Sequence, residues 1–366
     1  MSERSALWVS TSTQTRGGIA TYVRELQQTD VWSDWRIRHI TTHVDGPKSV
    51  KLAAFVRGAV QFIVELIKSR PAVIHLHSSA DASFLRKSIL FWISRPFNVP
   101  VILHMHGSDF QDYYERSPRP IQELIRRTLS RASAVVALGE VWADRLRAIA
   151  PSARITVIPN AVRPAPRVSQ PAPGEPVHVV FLGRIGDRKG AFRLVDAWAQ
   201  VSADGTQVGG SEKVNTAILT IAGDGEVEKA RRRIRDLGLG DTVELHEWLS
   251  QQAVCELLDR AQVLVLPSRS EGQPMAVLEA MARGLCIVSS DVGGLAEMIG
   301  GGHGVIVPPD DVEAIAAALL LVIRNDDFRV RCGAAAYARC EDQFDVRTVS
   351  RQIDCLYRQI TGSATP

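Results

Sequence analysis

Short apolar, β-branched runs alternate with longer amphipathic stretches along most of the chain. Ala6–Thr11, Ala72–His77, Val101–His106, Ser133–Leu138 and Arg154–Ile158 read as strands. Leu52–Lys68, Ser83–Ser94 and Ile121–Arg131 repeat apolar residues at helical spacing, as does Ile19–Leu26 after a glycine turn. Apolar strands separated by helices predict an α/β fold whose parallel sheet is covered on both faces.

The pattern breaks at Arg163–Pro176, which holds five prolines and one glycine in fourteen residues. Such a stretch predicts a stiff extended linker and a domain boundary. The alternation then restarts. Val177–Leu182, Ala217–Ala222, Val243–Leu245, Val263–Leu266 and Cys286–Ser289 predict strands. Gly190–Ser202, Gly223–Leu237, Ser250–Arg260 and Met275–Arg283 supply the turns and helices between them, and Ala203–Asn215 predicts an exposed loop. Val346–Ile360 closes the chain with helical periodicity. The expected domains are residues 1–165 and 166–345, followed by a C-terminal helix in 346–366. Two α/β halves predict a cleft, with ligands at the carboxyl ends of the strands.

Composition narrows the class. The 366 residues are 45% apolar and 23% charged, which excludes a disordered chain, a fibrous repeat and a disulfide-stapled miniprotein. The formal charge of +3 conceals an asymmetry: residues 1–165 carry 22 Lys/Arg against 13 Asp/Glu, and residues 166–366 carry 21 against 27. Lys48, Lys51, Arg57, Lys68, Arg70, Arg86, Lys87 and Arg95 cluster near apolar helices such as Phe84–Ile93. Residues 48–95 therefore predict either an anionic membrane surface as partner or a solvated basic face over a core. Nucleic acid is disfavoured, because only one half is basic and no reader motif is present. The N-terminus shows no signal-peptide pattern. The longest apolar run, Ala314–Ile323, is too short to span a bilayer. Five scattered cysteines without C-x-x-C fit a reducing compartment and no structural zinc. The expected location is cytoplasmic, with peripheral attachment to the inner membrane face left open.

Candidate chemistry gathers at strand ends. Glu271-Gly-Gln-Pro-Met-Ala-Val-Leu-Glu279 directly follows a predicted buried strand. It puts Glu271 in a strand-to-helix loop, Pro274 in the first turn of a helix with Met275 and Ala276, and Glu279 about two turns on. Carboxylates can accept hydrogen bonds from sugar and ribose diols, and a helix start suits a diphosphate. Two solvated glutamates are the competing reading. Arg184 and Lys189 follow the strand Val177–Leu182 among glycine turns, with Arg188 a third cation; they can clamp a diphosphate or form a plain basic turn. Gly17-Gly18 lets backbone approach a phosphate, although no P-loop pattern accompanies it. His75/His77 and His104/His106 are His-x-His pairs whose members point to one face of a strand. With no carboxylates beside them no metal site is expected; His106, before Gly107-Ser108-Asp109, is the best placed for a ligand, and His75 and His104 read as core histidines. Glu297 follows Gly293-Gly294 in another strand-end loop.

These residues together resemble glycosyltransferase family 4, retaining enzymes of the GT-B fold. The landmarks are Gly17-Gly18, His106-Gly107, Val157–Val162, Phe181–Gly190, Ile221–Glu226, the Glu271/Glu279 pair with EAMARG, and Gly293–Glu297. The resemblance implies two Rossmann-like domains, parallel sheets facing each other across a cleft, a first domain that takes the acceptor and a second that takes the donor. It implies a hexose moved from a UDP- or GDP-sugar with retention and without metal or cofactor. By position, Arg184 and Lys189 would hold the diphosphate, Glu279 the ribose and Glu271 the donor sugar. His106 would lie near the reacting centre, Gly18 beneath the phosphates, and the C-terminal helix would pack back on the first domain. The acceptor implied is a lipid-linked saccharide in bacterial polysaccharide or glycolipid assembly. Two departures are visible: Asn160-Ala161-Val162-Arg163 where the family has N-G-V-D, and Glu247 in place of a glycine. A nucleotide-sugar epimerase on the same scaffold and a non-catalytic sugar-nucleotide-binding subunit remain open at this point.

Overall fold

The structure, a computed structural model, describes residues 5–172, 174–205 and 217–362. Most of the expected loop Ala203–Asn215 lies outside the described residues; Ala203–Gly205 close the helix Ala191–Gly205. The chain divides into two compact units, Met1–Ala161 with Phe344–Pro366, and Val162–Gln343.

The first unit is built on six parallel strands: β1 (Ala6–Ser10), β2 (Arg38–Thr41), β3 (Val73–Ser78), β4 (Val101–Met105), β5 (Ala134–Ala137) and β6 (Ile155–Val157), ordered β2-β1-β3-β4-β5-β6. Both faces of the sheet are covered. On one side Phe62 and Leu66 of the helix Lys48–Ser69, Phe84, Leu90 and Phe91 of Asp81–Ser94, and Ile125 and Leu129 of Arg119–Arg131 form a core. On the other, Tyr22, Val23 and Leu26 of Gly18–Leu26 meet Val349, Ile353 and Tyr357 of the C-terminal helix Val346–Thr361. β2 escapes the strand pattern because Arg38, His39 and Thr41 leave only Ile40 as a buried apolar residue.

The second unit repeats the plan with β7 (Val177–Leu182), β8 (Ala217–Ala222), β9 (Val243–His246), β10 (Val263–Leu266), β11 (Cys286–Ser290) and β12 (Val305–Val307). Their order is β12-β11-β10-β7-β8-β9, all parallel. The chain reverses direction across the sheet between β7 and β10, and the loops after these two strands sit side by side. In open α/β sheets this is where ligands bind.

Between Ala165 and Gln170 the proline-rich stretch is fastened to the body of this second unit rather than strung out as a linker. Ala165 and Val168 donate backbone hydrogen bonds to Ala282 and Arg283, Ser169 accepts one from Gln262, and Gln170 accepts one from the buried Arg329. Prolines leave few backbone donors, and this stretch directs two of those it has into one partner segment.

The basic cluster also differs from expectation. Lys87 is not a surface cation: it is buried, its Nζ donating to Thr42 Oγ1 at 2.7 Å, and burial pulls its pKa down to about 7. Phe84–Ile93 is mostly core. Apart from Ile89, the exposed large apolar residues of this region lie instead on Lys48–Ser69. Among the described residues, no helix is long and apolar enough to cross a membrane.

Candidate functional site

The clearest chemical grouping in the second unit joins the loops that follow β7 and β10. Lys189 Nζ lies 2.5 Å from Glu271 Oε1, and the Ser268 hydroxyl donates to the same oxygen at 2.6 Å. Both charged side chains are largely withdrawn from water, at 16% exposure for Lys189 and 5% for Glu271. The loops are held by backbone as well. Arg269 N donates to Arg188 O, and the Arg188 guanidinium donates to Ser270 O. Gly190, at φ +74°, brings the β7 loop against Pro267, where an added Cβ would lie 1.9 Å from the carbonyl oxygen. Only glycine permits that approach.

Arg184 is on the same β7 loop but points elsewhere. Its side chain is 68% exposed, 3.8 Å from Asp224 at its nearest carboxylate approach. Asp224 belongs to the turn after β8, which is bound to the β7 loop by Ile185 N to Asp224 O and Glu226 N to Ile185 O. The turn Gly223–Glu226 thus has a structural role, and it also sets an acid opposite Arg184. Three strand ends, β7, β8 and β10, together present the exposed guanidiniums of Arg184, Arg188 and Arg269 and one largely buried lysine–glutamate pair.

Pro274 stands just before the helix Met275–Met281 rather than inside its first turn. Met275 is buried and Ala276 half-buried. Glu279 is on the second turn of that helix, with Gln251 Nε2 3.5 Å from its Oε1. Glu297 occupies the first turn of Leu295–Ile299, after β11, and its backbone carbonyl accepts from Arg339.

The remaining candidates belong to the first unit. Gly17, at φ +128°, precedes the helix Gly18–Leu26. Tyr22 of that helix touches His106 and His104, with ring centroids 5.3 Å apart in each case. The glycine turn and His106 are therefore tied through one aromatic ring. His106 shares a 3.0 Å hydrogen bond with His77 and a further one with the Asn160 side chain.

All four histidines stack. His104 lies 4.2 Å from His106 and His75 lies 4.5 Å from His77, at interplanar angles of 21° and 14°. His75 is a satisfied core histidine, as expected: Nδ1 meets the Tyr357 hydroxyl at 2.6 Å and Nε2 meets His104 Nδ1 at 3.1 Å. His104 differs, since its Nε2 is buried without a partner. Trp8 Nε1 can only donate, and it donates to Tyr357 Oη at 2.6 Å. The order that gives the Tyr357 proton an acceptor then runs from the Tyr357 O–H to His75 Nδ1 and from His75 Nε2–H to His104 Nδ1, and it leaves the His104 Nε2–H as the one buried proton of this network without an acceptor. Burial holds His75 down to about 3 and pushes His77 and His104 well below the usual histidine range, so these rings are neutral at neutral pH. Nitrogens of His75, His77 and His104 approach within 4.8 Å of one another. Near-parallel rings aim their in-plane lone pairs side by side, however, whereas a tetrahedral ion needs them to converge. The arrangement suits a hydrogen-bonded stack.

Sequence reasoning missed Asn160, Ser268 and Tyr357. Asn160 was visible only as part of the segment after β6, Ser268 carries no motif, and Tyr357 was one apolar position in a helical repeat.

Two sequence families match the chain. Residues 27–161 match the glycosyl transferase 4-like domain, and residues 162–339 match the glycosyl transferases group 1. Among curated relatives, the amylovoran biosynthesis glycosyltransferase AmsK of Erwinia amylovora is 28% identical over 238 residues, 62% of this chain and 56% of the relative. The GDP-mannose:cellobiosyl-diphosphopolyprenol alpha-mannosyltransferase of Xanthomonas campestris is 31% identical over 242 residues, 62% of this chain and 60% of the relative. The chain thus spans less than two thirds of the length of these relatives. In fold it is similar to sucrose-phosphate synthase from Thermosynechococcus elongatus, with a TM-score of 0.80, 19% identity, and coverage of 99% of this chain and 100% of that one. Anabaena HepE, solved in complex with UDP, gives a TM-score of 0.72 at 17% identity, covering 97% of this chain and 100% of that one.

Proposed function

The chain belongs to the group 1 glycosyl transferases, of the family 4 kind and GT-B fold, and from that premise we propose that it moves a hexose from a nucleotide-sugar to an acceptor hydroxyl with retained configuration. The observation that carries the reading is the Lys189–Glu271 pair, set with Arg184 at the ends of β7 and β10. Cations at such a place offset the charge that grows on a leaving diphosphate, and a low-dielectric setting strengthens the effect.

In this reading Lys189 and Arg184 take the donor diphosphate, Glu279 the ribose and Glu271 the sugar hydroxyls. Pro274, Met275 and Ala276 shape the wall beside the diphosphate, and Glu297 contributes at the β11 end. Gly17, Gly18 and His106 serve the reacting sugar from the first unit. The bond from the anomeric carbon to the diphosphate oxygen breaks, the acceptor oxygen bonds to that carbon on the same face, and the acceptor proton passes to the departing phosphate oxygen. No metal is assigned to this step; the cationic side chains fill that role.

UDP is favoured as the nucleotide, supported by the UDP complex of HepE, and a GDP-sugar is the second option, supported by the Xanthomonas relative. The acceptor is assigned to the lipid-linked saccharides, the class that the diphosphopolyprenol in that relative's name belongs to. The location that follows is cytoplasmic and peripheral to the membrane. A panel of UDP- and GDP-hexoses, read by nucleotide release and thermal shift, tests the donor. Product analysis by NMR tests the anomeric outcome: an inverted linkage overturns retention, and a donor isomer formed without acceptor points to an epimerase.

A further inference from the structure

The helix Lys48–Ser69 turns an apolar face outward. A surface helix ordinarily buries one stripe and shows water a charged one. Here Ala54, Gly58, Phe62 and Leu66, spaced by four, face the core. On the opposite side Leu52, Val56, Val60, Val64 and Ile67 form a second stripe, and with Val50 they are between 39% and 63% exposed. These six are half of the exposed large apolar side chains among the described residues. Such a concentration marks an interaction surface rather than scatter.

The charges around the stripe identify its partner. Lys48, Lys51, Arg57 and Lys68 lie on the helix and Arg70 just after it, all exposed. Among the described residues none of these five is engaged in an ion pair. The one acid of the helix, Glu65, is bound by Arg38 at 2.5 Å and accepts from Ser69. An apolar stripe flanked by unneutralised cations matches a surface that is apolar below and anionic above, which is the headgroup boundary of an acidic bilayer. A protein partner would need acids placed opposite each cation around an apolar ridge; a lipid surface supplies both by its nature. Twenty-two residues at 1.5 Å each give a ridge of about 33 Å, long enough to seat in the interface plane. The helix also follows β2 and so begins at the carboxyl end of the sheet, the end that holds His106.

We propose that Lys48–Ser69 lies in the interface of an anionic lipid bilayer, with Leu52, Val56, Val60 and Ile67 among the acyl chains and Lys51, Arg57 and Lys68 at the headgroups. This rests on the peripheral, lipid-acceptor reading above and names the surface that serves it.

The test is flotation of the full chain with vesicles of phosphatidylcholine alone and of phosphatidylcholine with phosphatidylglycerol at 3:1. The expected result is binding to the mixed vesicles, at least tenfold weaker to the neutral ones and weakened by 0.5 M salt. Two variants, each checked for folding by circular dichroism, separate the contributions: Val56→Ser/Val60→Ser/Ile67→Ser and Lys51→Glu/Arg57→Glu/Lys68→Glu. Each should lower binding at least tenfold. Equal binding to neutral vesicles, or binding unchanged in both variants, overturns the proposal. So does a dimer by light scattering that the serine variant converts to monomer while flotation is absent, since the face then covers a second copy. Nucleotide release in vesicle-free solution is scored separately: flotation without turnover leaves docking standing and sinks the transferase reading, and turnover without flotation does the reverse.

Discussion

Lys189 and Glu271, 82 residues apart in sequence, meet at 2.5 Å, and among the described residues neither has another partner of opposite charge. Removing one member of a largely buried pair strands the other, at a cost of about 3 kcal/mol or more. Lys189→Ala should therefore lower both the thermal midpoint and turnover, whereas a role in structure alone would touch only the first. Adding Glu271→Gln to Lys189→Ala should restore most of the lost stability, because no charge is then left buried, and should leave kcat depressed by roughly 100-fold or more. A double variant that regains turnover along with its midpoint would remove Lys189 from the chemistry.

Arg184 tests the opposite limit. Its guanidinium is 68% exposed, with Asp224 no nearer than 3.8 Å, so it adds little to stability. Arg184→Ala should leave the thermal midpoint within about 1 °C, an effect below roughly 0.5 kcal/mol. UDP affinity by calorimetry should fall about tenfold, the effect of losing one charge-assisted contact worth about 1.4 kcal/mol. Unchanged nucleotide affinity would take Arg184 out of the diphosphate site.

The difference between these two cations is also a measure of what a sequence discloses. Both stand five residues apart after a strand whose limits, Val177–Leu182, are those the apolar run predicts. Apolar strands are legible because burial on both faces forces a continuous run, and β7, β8 and β10 follow it residue for residue. β2 was not legible, because an edge strand needs only one buried apolar side chain. Which cation turns inward was not legible either: that depends on Gly190 packing against Pro267, a contact between segments 77 residues apart. The His-x-His spacing disclosed a shared face, but the Trp8–Tyr357–His75 chain needs a helix from the far end of the sequence to complete it. The proline-rich stretch breaks the alternation of strands and helices visibly, yet its hydrogen bonds to Ala282 and Arg283 cannot be read from composition.

The histidine stack sets an acid limit on stability. His75 and His106 are held near 3 by burial, against about 6.5 in the unfolded chain, and His77 and His104 are also lowered. Between pH 6.5 and about 3 the unfolded chain binds protons that the folded chain refuses, so the stack's contribution to stability falls as pH falls and is level above 6.5. Each histidine contributes up to about 1.4 kcal/mol per pH unit in that window. Thermal midpoints should drop steeply from pH 6.5 to 5, with a slope that flattens in His77→Gln, and should go on rising gently from pH 7 to 8, where the buried Lys87, held down to about 7, sheds the proton that the unfolded chain keeps. A midpoint that holds steady down to pH 5 would contradict the burial of the stack.

Gly17 and Gly190 both have positive φ, but they make different demands. A Cβ at Gly190 collides with Pro267 O, whereas a Cβ at Gly17 meets nothing within 4 Å. Gly190→Ala must therefore move the β7 loop away from the β10 loop, and it should cost several kcal/mol and abolish the Lys189–Glu271 contact. Gly17→Ala bears only the strain of φ +128°, about 1–3 kcal/mol. If the open space beside Gly17 is where the donor sugar or its phosphates approach the backbone, KM for the donor should rise in Gly17→Ala by more than its loss of stability accounts for. Urea unfolding gives the stability of both variants, and initial rates across donor concentration give KM. A Gly17→Ala enzyme with the parent's KM would leave the glycine a turn residue and nothing more.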